Sequence, residues 1–171
     1  MSVGARTRIA AEAYVAALNT GDPDRIAACV TEDFHNEHTS ALGRSLRGRA
    51  AYRARLPGFL GEFQGLRYVV EDLLVDGDRA ALAYTMTFRV RGGSVSAGGG
   101  SGDGGSVGAS GGGGEGSVSA RGGSGGGSVG GEPVRIRGVF RLRVVDGLVA
   151  HRVDYWDGAE FARQTARGED R

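Results

Sequence analysis

Residues 134–157 read VRIRGVFRLRVVDGLVAHRVDYWD. Apolar and polar residues alternate on both sides of the central Asp146-Gly147 pair, which is the pattern of two half-buried strands joined by a tight turn. Only a short piece of chain surrounds this hairpin, too short to enclose a hydrophobic core of its own. The hairpin is therefore predicted to complete a sheet whose other strands lie earlier in the chain.

The partner strands are predicted immediately before a glycine-rich region. The stretches LRYVVEDLLV (66–75) and RAALAYTMTFRV (79–90) are typical of strands, and Asp76-Gly77-Asp78 between them indicates a second hairpin. Together with residues 134–157 they give four long antiparallel strands.

The N-terminal part has the longer spacing of helices. Helices are predicted at 6–18, from Asp22-Pro23 onward, and at 48–63, where Pro57 is expected to kink or split the helix. A short strand is predicted at 33–38 and a terminal helix at about 158–166. The fold class is α+β, with helices against one face of a curved antiparallel sheet.

Between the two predicted hairpins lies a Gly/Ser-rich segment at 92–131. It contains 21 of the chain's 33 glycines and no aromatic residue, leucine or isoleucine, so it cannot bury enough apolar surface to become ordered. The stretch GSGDGG within it lacks the lysine of a phosphate-binding loop. We therefore expect one domain over 1–171, interrupted by a flexible, non-catalytic insertion.

The composition excludes several classes of function. The net charge is +1, which gives no electrostatic case for a nucleic-acid partner. All basic residues are arginine, so lysine-based Schiff-base chemistry is excluded, and a single cysteine, Cys29, forms no intrachain disulfide. Apolar runs long enough for a signal peptide or a membrane span do not occur, and a cytoplasmic location is expected.

Histidines give no predicted metal site. His35 and His38 are three residues apart on a predicted strand, so they face opposite sides of it, and His151 is predicted to point outward. We predict neither a metal nor a cofactor.

Three stretches carry a family resemblance: AYVAALNTGDPDRI (13–26), VEDLLVDGDRAAL (70–82) and VVDGLVAHRVDYWD (144–157). The chain resembles the SnoaL-like proteins, in the superfamily of nuclear transport factor 2 and ketosteroid isomerase. The resemblance implies a cone, in which a curved sheet wraps around the helices and leaves an apolar pocket at its open end. It also implies a homodimer through the outer face of the sheet.

The resemblance suggests candidate catalytic residues. Tyr14 matches the tyrosine of ketosteroid isomerase and His38 falls at its base position, but Phe140 replaces its second acid and cannot donate a hydrogen bond. Asp154 matches the acid/base of SnoaL-type polyketide cyclases. It also matches one acid of limonene epoxide hydrolase, whose remaining pair falls on residues that cannot activate water.

The remaining pocket residues follow from alternation along the strands. On the last strand Arg152, Asp154 and Trp156 share one face, which the resemblance makes the pocket face. On the preceding strand alternation adds Phe140 and Leu142. Thr85 and Thr87 are included because the resemblance places them at the positions of the remaining limonene epoxide hydrolase pair. Burial on the pocket face is expected to raise the pKa of Asp154. The structural alternatives are that Asp154 pairs with Arg152 or Arg137 or caps a neighbouring loop, that Tyr14 is a core tyrosine, and that His38 is a surface histidine.

Two functions remain open on this basis. One is a cofactor-free isomerase or cyclase for a small carbonyl or polyketide-like compound, with Asp154, Tyr14 and His38 as its acid–base residues. The alternative is a non-catalytic binder of a small apolar ligand, or a dimeric accessory protein. They differ in whether these three residues meet in one place.

Overall fold

The computed structural model describes residues 1–90 and 133–166. Its elements are α1 (Val3–Thr20), α2 (Pro23–Ala28), β1 (Val30–His38), β2 (Leu46–Arg47), α3 (Arg49–Glu62), β3 (Phe63–Asp76), β4 (Arg79–Val90), β5 (Val134–Val145), β6 (Leu148–Trp156) and α4 (Gly158–Ala166). The insertion predicted at 92–131 lies outside the described residues. The order of elements agrees with the prediction, apart from the short strand β2, which the sequence pattern did not indicate.

Local contacts hold both ends of helix α1. The hydroxyl of Ser2 accepts a hydrogen bond from the backbone N–H of Ala5 at 3.1 Å, and Gly21 ends the helix with a φ of 66°. Glycine adopts this left-handed conformation without strain. The helix is therefore longer at both ends than predicted, and it buries Tyr14 and Leu18 against the sheet.

Helix α2 begins as predicted. One carboxylate oxygen of Asp22 accepts hydrogen bonds from the N–H groups of Asp24, at 2.9 Å, and of Arg25, at 3.3 Å. Pro23 lies in the first turn, where its missing N–H costs no hydrogen bond.

Helix α3 contains Pro57, where a kink or a split was predicted. The helix runs without a break over Arg49–Glu62, so the split does not occur. Tyr52 and Leu56 are its buried residues and anchor it on the core, which allows the helix to continue past the one backbone hydrogen bond that proline removes.

The sheet has six strands in the order β2-β1-β6-β5-β4-β3, and it is curved but not closed. The four long strands are antiparallel as predicted. Asp146 and Gly147 have φ values of 49° and 79°, and they connect Val145 to its pairing partner Leu148. Two successive positive φ values are typical of the tight hairpin turn predicted there.

One prediction about the sheet is corrected by strand β1. It pairs with β6 in parallel, so the sheet is mixed rather than antiparallel. The hydrophobic period of a strand indicates which side chains are buried, but it does not indicate which strand lies beside it or in which direction.

The faces of the sheet follow the alternation read from the sequence. On β5 the side chains of Ile136, Phe140 and Leu142 are buried, whereas the four arginines between them are exposed: Arg135, Arg137, Arg141 and Arg143. The helices cover the inner face, and the main core forms between them and the sheet. Its largest fully buried side chains include Tyr14, Phe34, Tyr84 and Phe140.

Candidate functional site

Four polar side chains of the interior lie on the two strands that pair in parallel. The register of β1 and β6 sets Asn36 beside Arg152 and His38 beside Asp154. Residues two apart on a strand share a face, so all four side chains point inward. We call these four residues the interior cluster.

Asp154 is buried, with 6% of its surface exposed. Its Oδ1 accepts a hydrogen bond of 2.7 Å from the hydroxyl of Tyr84, and its Oδ2 lies 3.5 Å from Nδ1 of His38. Burial raises the pKa of Asp154, although the charge of Arg152 and the hydrogen bond from Tyr84 oppose the shift. The predicted direction of the shift is confirmed.

Arg152 is the buried cation of the cluster. Its Nε donates to Oδ1 of Asn36 at 2.9 Å, its Nη1 donates to the hydroxyl oxygen of Tyr14 at 2.7 Å, and its Nη2 lies 3.5 Å from Nε2 of His38. The guanidinium carbon is 4.9 Å from the centroid of the Phe140 ring, a cation–π distance. This side chain connects three elements of the fold at one point.

The charges of Arg152 and Asp154 balance within the interior. Arg137, which alternation places outside, pairs with Glu71 at 2.6 Å, so it is not the partner of Asp154. Among the described residues the basic side chain nearest to the Asp154 carboxylate is His38, and this contact is an ion pair only when His38 is protonated. Arg152 acts on Asp154 through its charge rather than through a hydrogen bond.

The position of the proton on His38 follows from its neighbours. Arginine has only donors, so Oδ1 of Asn36 accepts from Arg152, and Nδ2 of Asn36 must be the donor that faces Nε2 of His38 at 3.3 Å. Nε2 is therefore an acceptor, and the proton of the neutral ring lies on Nδ1. Nδ1 is buried, has no hydrogen-bond partner among the described residues, and points toward Asp154.

The same surroundings keep His38 neutral. Burial, followed by the charges of Arg152 and Arg55, lowers the pKa of His38 to about 3. A histidine with this pKa, whose lone pair faces two donors, is a poor base at neutral pH. The base role predicted for His38 is therefore disfavoured, whereas its Nδ1–H remains able to donate.

Tyr14 lies at the other end of the Arg152 side chain. Its hydroxyl oxygen accepts from Arg152 and shares a second hydrogen bond of 2.6 Å with the hydroxyl of Tyr52. Burial raises the pKa of Tyr14 well above its ordinary value. Tyr14 belongs to the same network as Asp154 and His38, but its hydroxyl group is occupied by protein partners.

The amino-acid sequence and the fold can now be compared with those of known proteins. The sequence model of the SnoaL-like domain matches residues 11–152. The chain belongs to the SnoaL-like domain family. A search of curated protein sequences finds no match.

Solved structures support the fold of this SnoaL-like domain. A protein with a ketosteroid isomerase-like fold from Catenulispora acidiphila, solved with trimethylamine, aligns with a TM-score of 0.65 at 11% identity, over 92% of each chain. An epoxide hydrolase from M. tuberculosis gives 0.65 at 17% identity, over 96% of this chain and 92% of its own. A protein described as a polyketide cyclase from Xanthomonas campestris gives 0.63 at 20% identity, over 95% and 98%.

Tyr84 was not identified as a site residue from the sequence, although a glycine in the middle of a neighbouring strand of the SnoaL-like domain indicates its position. In the register Tyr84 lies opposite Gly138, and a Cβ atom at position 138 would overlap the Tyr84 ring and hydroxyl. Glycine in the middle of a strand indicates such a close approach. Gly138 thus makes the space through which Tyr84 reaches Asp154.

Two predicted pocket residues are corrected by the structure. Thr85 and Thr87 alternate with Tyr84 on β4, so they lie on the outer face of the sheet. The hydroxyl of Thr85 donates to Glu71, which also binds Arg137 on that face. Neither threonine can line an interior pocket.

The other predicted pocket residues lie on the inner face, in two groups. Phe140 and Leu142 are fully buried beside the interior cluster. Trp156 is half-buried and belongs to a second apolar group, where its ring meets that of Phe161 edge to face at 5.7 Å. Trp156 therefore lies away from the interior cluster, next to helix α4.

A loop covers the interior cluster at the His38 end. Residues 39–45 connect β1 to β2, and Gly43 packs so closely on the His38 ring that a Cβ atom would overlap it. The backbone N–H and hydroxyl of Thr39 both donate to the carbonyl oxygen of Asp154. The His38 side chain keeps 17% exposure, which makes this end the nearest approach from solvent to Asp154.

The interior cluster lacks the ligands of a typical metal site. The interior cluster supplies one imidazole and one carboxylate, fewer than the three ligands of a typical catalytic zinc site. A surface depression of about 310 Å³ lies elsewhere, between α2 and α3, and contains none of the cluster residues. In the described ranges, no helix has the length and apolar character needed to cross a membrane.

Proposed function

We propose that this SnoaL-like domain is a cofactor-free acid–base enzyme of the isomerase or cyclase type, acting on a small carbonyl compound. The observation that carries the proposal is the environment of Asp154, a buried carboxyl group of raised pKa with a hydroxyl donor on one oxygen and an N–H facing the other. A carboxyl group that titrates nearer neutrality can both take and return a proton at physiological pH.

The proposed reaction begins with proton transfer from carbon. The Asp154 carboxylate takes a proton from the carbon next to a carbonyl group, so that the C–H bond breaks and an O–H bond forms on Asp154. The electron pair moves to the carbonyl oxygen. In a β,γ-unsaturated carbonyl compound the resulting dienolate regains the proton at the γ-carbon, which is isomerisation. In a compound with two carbonyl groups the enolate carbon attacks the second carbonyl carbon, whose oxygen takes up the proton, which is cyclisation.

His38 and Arg152 have supporting roles in this proposal. The Nδ1–H of His38 has no partner of its own among the described residues, so it can donate to the oxygen that becomes negative. Arg152 supplies a fixed positive charge nearby. Tyr14 is a positioning residue, because its hydroxyl oxygen accepts from Arg152 and holds the guanidinium group in place.

Exchange of carbon-bound protons tests the proposal without knowledge of the product. A panel of small ketones and 1,3-dicarbonyl compounds is incubated with the protein in D₂O, and loss of the α-proton signals is followed by NMR. Asp154→Asn is expected to slow exchange by about 10²–10⁴-fold, the usual contribution of a general acid or base. Asp146→Asn makes the same chemical change on an exposed turn and is expected to leave the rate unchanged.

Tyr84→Phe is the second variant, because it keeps the carboxyl group. The hydrogen bond from Tyr84 lowers the pKa of Asp154, so its loss should move the pH dependence of exchange to higher pH. Equal rates for wild type and a folded Asp154→Asn variant on every exchanging compound would contradict the proposal.

One observation favours the alternative of a non-catalytic ligand binder. Asp154, Arg152 and Tyr14 are all nearly inaccessible to solvent. Their polar groups have protein partners: Arg152 donates to Tyr14, and Asp154 accepts from Tyr84. In that case small apolar or carbonyl ligands should bind, as measured by calorimetry, while none of them exchanges its α-protons faster than in buffer.

We also propose a homodimer through the outer face of the sheet. Val139 and Tyr155 lie opposite each other in the register and are 37% and 42% exposed, which is an apolar contact centre among the exposed arginines. Sedimentation velocity at several concentrations should show a dimer, and Tyr155→Arg should shift it toward monomer. A wild-type monomer at all concentrations would contradict the proposal.

A further inference from the structure

Three potential metal ligands meet on the outer face of β1 and β6. The ligand atoms of His35, Glu37 and His151 all lie within 4.8 Å of one another. Nε2 of His151 is 3.0 Å from Oε2 of Glu37. The rings of His35 and His151 stack with their centroids 4.6 Å apart and their planes 9° apart.

The strand register explains this arrangement. The parallel pairing sets His35 directly beside His151, and Glu37 follows His35 by two residues on the same face. His38 lies on the opposite side of the strand from His35, as the sequence pattern predicted, and faces the interior. A comparison of His35 with His38 alone could not reveal the cluster, because the third ligand comes from a strand more than a hundred residues away.

We propose that His35, Glu37 and His151 bind one divalent transition-metal ion, with Zn²⁺ as the best match. Two imidazoles and one carboxylate form a ligand set of catalytic zinc sites, which leaves a fourth position open to water or another ligand. The side chains of His151 and Glu37 are 29% and 41% exposed, so an ion can reach them from solvent. The carboxylate also offsets one of the ion's two charges.

Binding requires the ligand atoms to move closer together, because Zn–N bonds are about 2.0–2.1 Å long. The stacked imidazoles must tilt toward a common point, which rotation about their side-chain torsions supplies while the strands stay in register. Arg47, paired with His35, adds a positive charge beside the site and should weaken binding.

The proposed ion would connect β1 to β6 directly behind the interior cluster. Asn36 lies between two of the ligands on β1, and Arg152 follows the third on β6. The ion would fix on the outer face the same strand register that aligns the cluster on the inner face. This proposal stands independently of the proposed enzymatic function.

Calorimetric titration of the full chain with ZnCl₂, without a histidine affinity tag, tests the site. We expect one ion per chain. His151→Ala should weaken binding by more than the roughly 10–100-fold that loss of an outer-shell partner costs. His38→Gln removes the histidine that is not a proposed ligand, and Cys29→Ser removes the single cysteine. Both variants are expected to bind zinc like wild type.

A second pair of variants keeps the test decisive if His151→Ala fails to fold. Glu37→Gln removes one ligand from a partly exposed position and should also weaken zinc binding, whereas Arg47→Gln removes the neighbouring charge and should strengthen it. Thermal unfolding without metal confirms that each variant is folded. Wild-type protein that binds no zinc, or equal affinity in wild type and the folded ligand variants, would overturn the proposal.

Discussion

At the scale of single residues, burial acts in opposite directions on the two titratable groups that face each other inside the domain. It raises the pKa of Asp154 and lowers the pKa of His38, and in both cases it favours the neutral form. A raised carboxyl pKa contributes stability at low pH that is lost as the pH rises through it. A lowered histidine pKa contributes stability at neutral pH that is lost as the pH falls from 6.5 toward 3.

The contribution of His38 to the pH dependence of stability can be measured with the variant His38→Gln. In wild type the unfolded chain takes up a proton on His38 below pH 6.5, while the native state does not. The free energy of unfolding should therefore fall less between pH 7 and pH 4 in His38→Gln than in wild type, by about 3 kcal/mol at most. Urea denaturation at the two pH values measures the difference, and an identical pH dependence in both proteins would contradict it.

Gly138 is expected to be the least replaceable glycine of the strands. A Cβ atom there would overlap Tyr84 and lie 2.7 Å from the backbone oxygen of Tyr155, which cannot move without breaking the sheet. Gly138→Ala should destabilise the domain by about 1–3 kcal/mol and separate Tyr84 from Asp154.

The matched control for that change is Gly58→Ala. Gly58 is in helix α3, and apart from its chain neighbours and the backbone of that helix no described atom lies within 4 Å of an added Cβ. Alanine there should therefore be neutral or stabilise by up to about 1 kcal/mol. Chemical denaturation of both variants checks the pair. Equal effects would show that the close approach of Tyr84 does not constrain position 138.

At the scale of elements, the inner and outer faces of a strand were predictable where the alternation within that one strand determines them. The alternation of β5 and β6 correctly placed Phe140, Leu142, Arg152 and Asp154 on the inner face. The inward position of Tyr84 was also predictable, because the large residues of β4 alternate with small ones. Asn36 was not, because its role depends on β1 lying parallel to β6, and pairing between distant segments is decided by packing of the whole fold.

Helix α3 offers a prediction at the same scale. Pro57 is exposed and lies inside the helix, where it removes one backbone hydrogen bond and contributes no buried surface. Pro57→Ala should raise the free energy of unfolding by roughly 1–3 kcal/mol. Thermal unfolding compared with Ala54→Gly, an exposed helical position expected to lose about 1 kcal/mol, checks the sign; a destabilised Pro57→Ala variant would contradict it.

At the scale of the whole molecule, the long connection between β4 and β5 can be shortened. The register pairs Phe88 with Val134, so the two strand ends lie side by side and a short turn can join them. Replacing residues 92–131 by a four-residue turn should keep the fold and raise its stability by about 1–2 kcal/mol, because a shorter loop costs less closure entropy. Circular dichroism and urea denaturation measure both, and a variant that no longer folds would contradict the prediction.

The parallel pairing of β1 with β6 has a further consequence while the chain is being made. Asn36 and Arg152 are 116 residues apart, so at about 5–20 residues per second the ribosome completes β6 roughly 6–23 s after β1. During this interval the edge of β1 that will receive β6 has unpaired backbone groups and can join other chains. The segment 92–131 supplies about a third of the delay, and the shortened variant should therefore aggregate less during synthesis in a cell-free system.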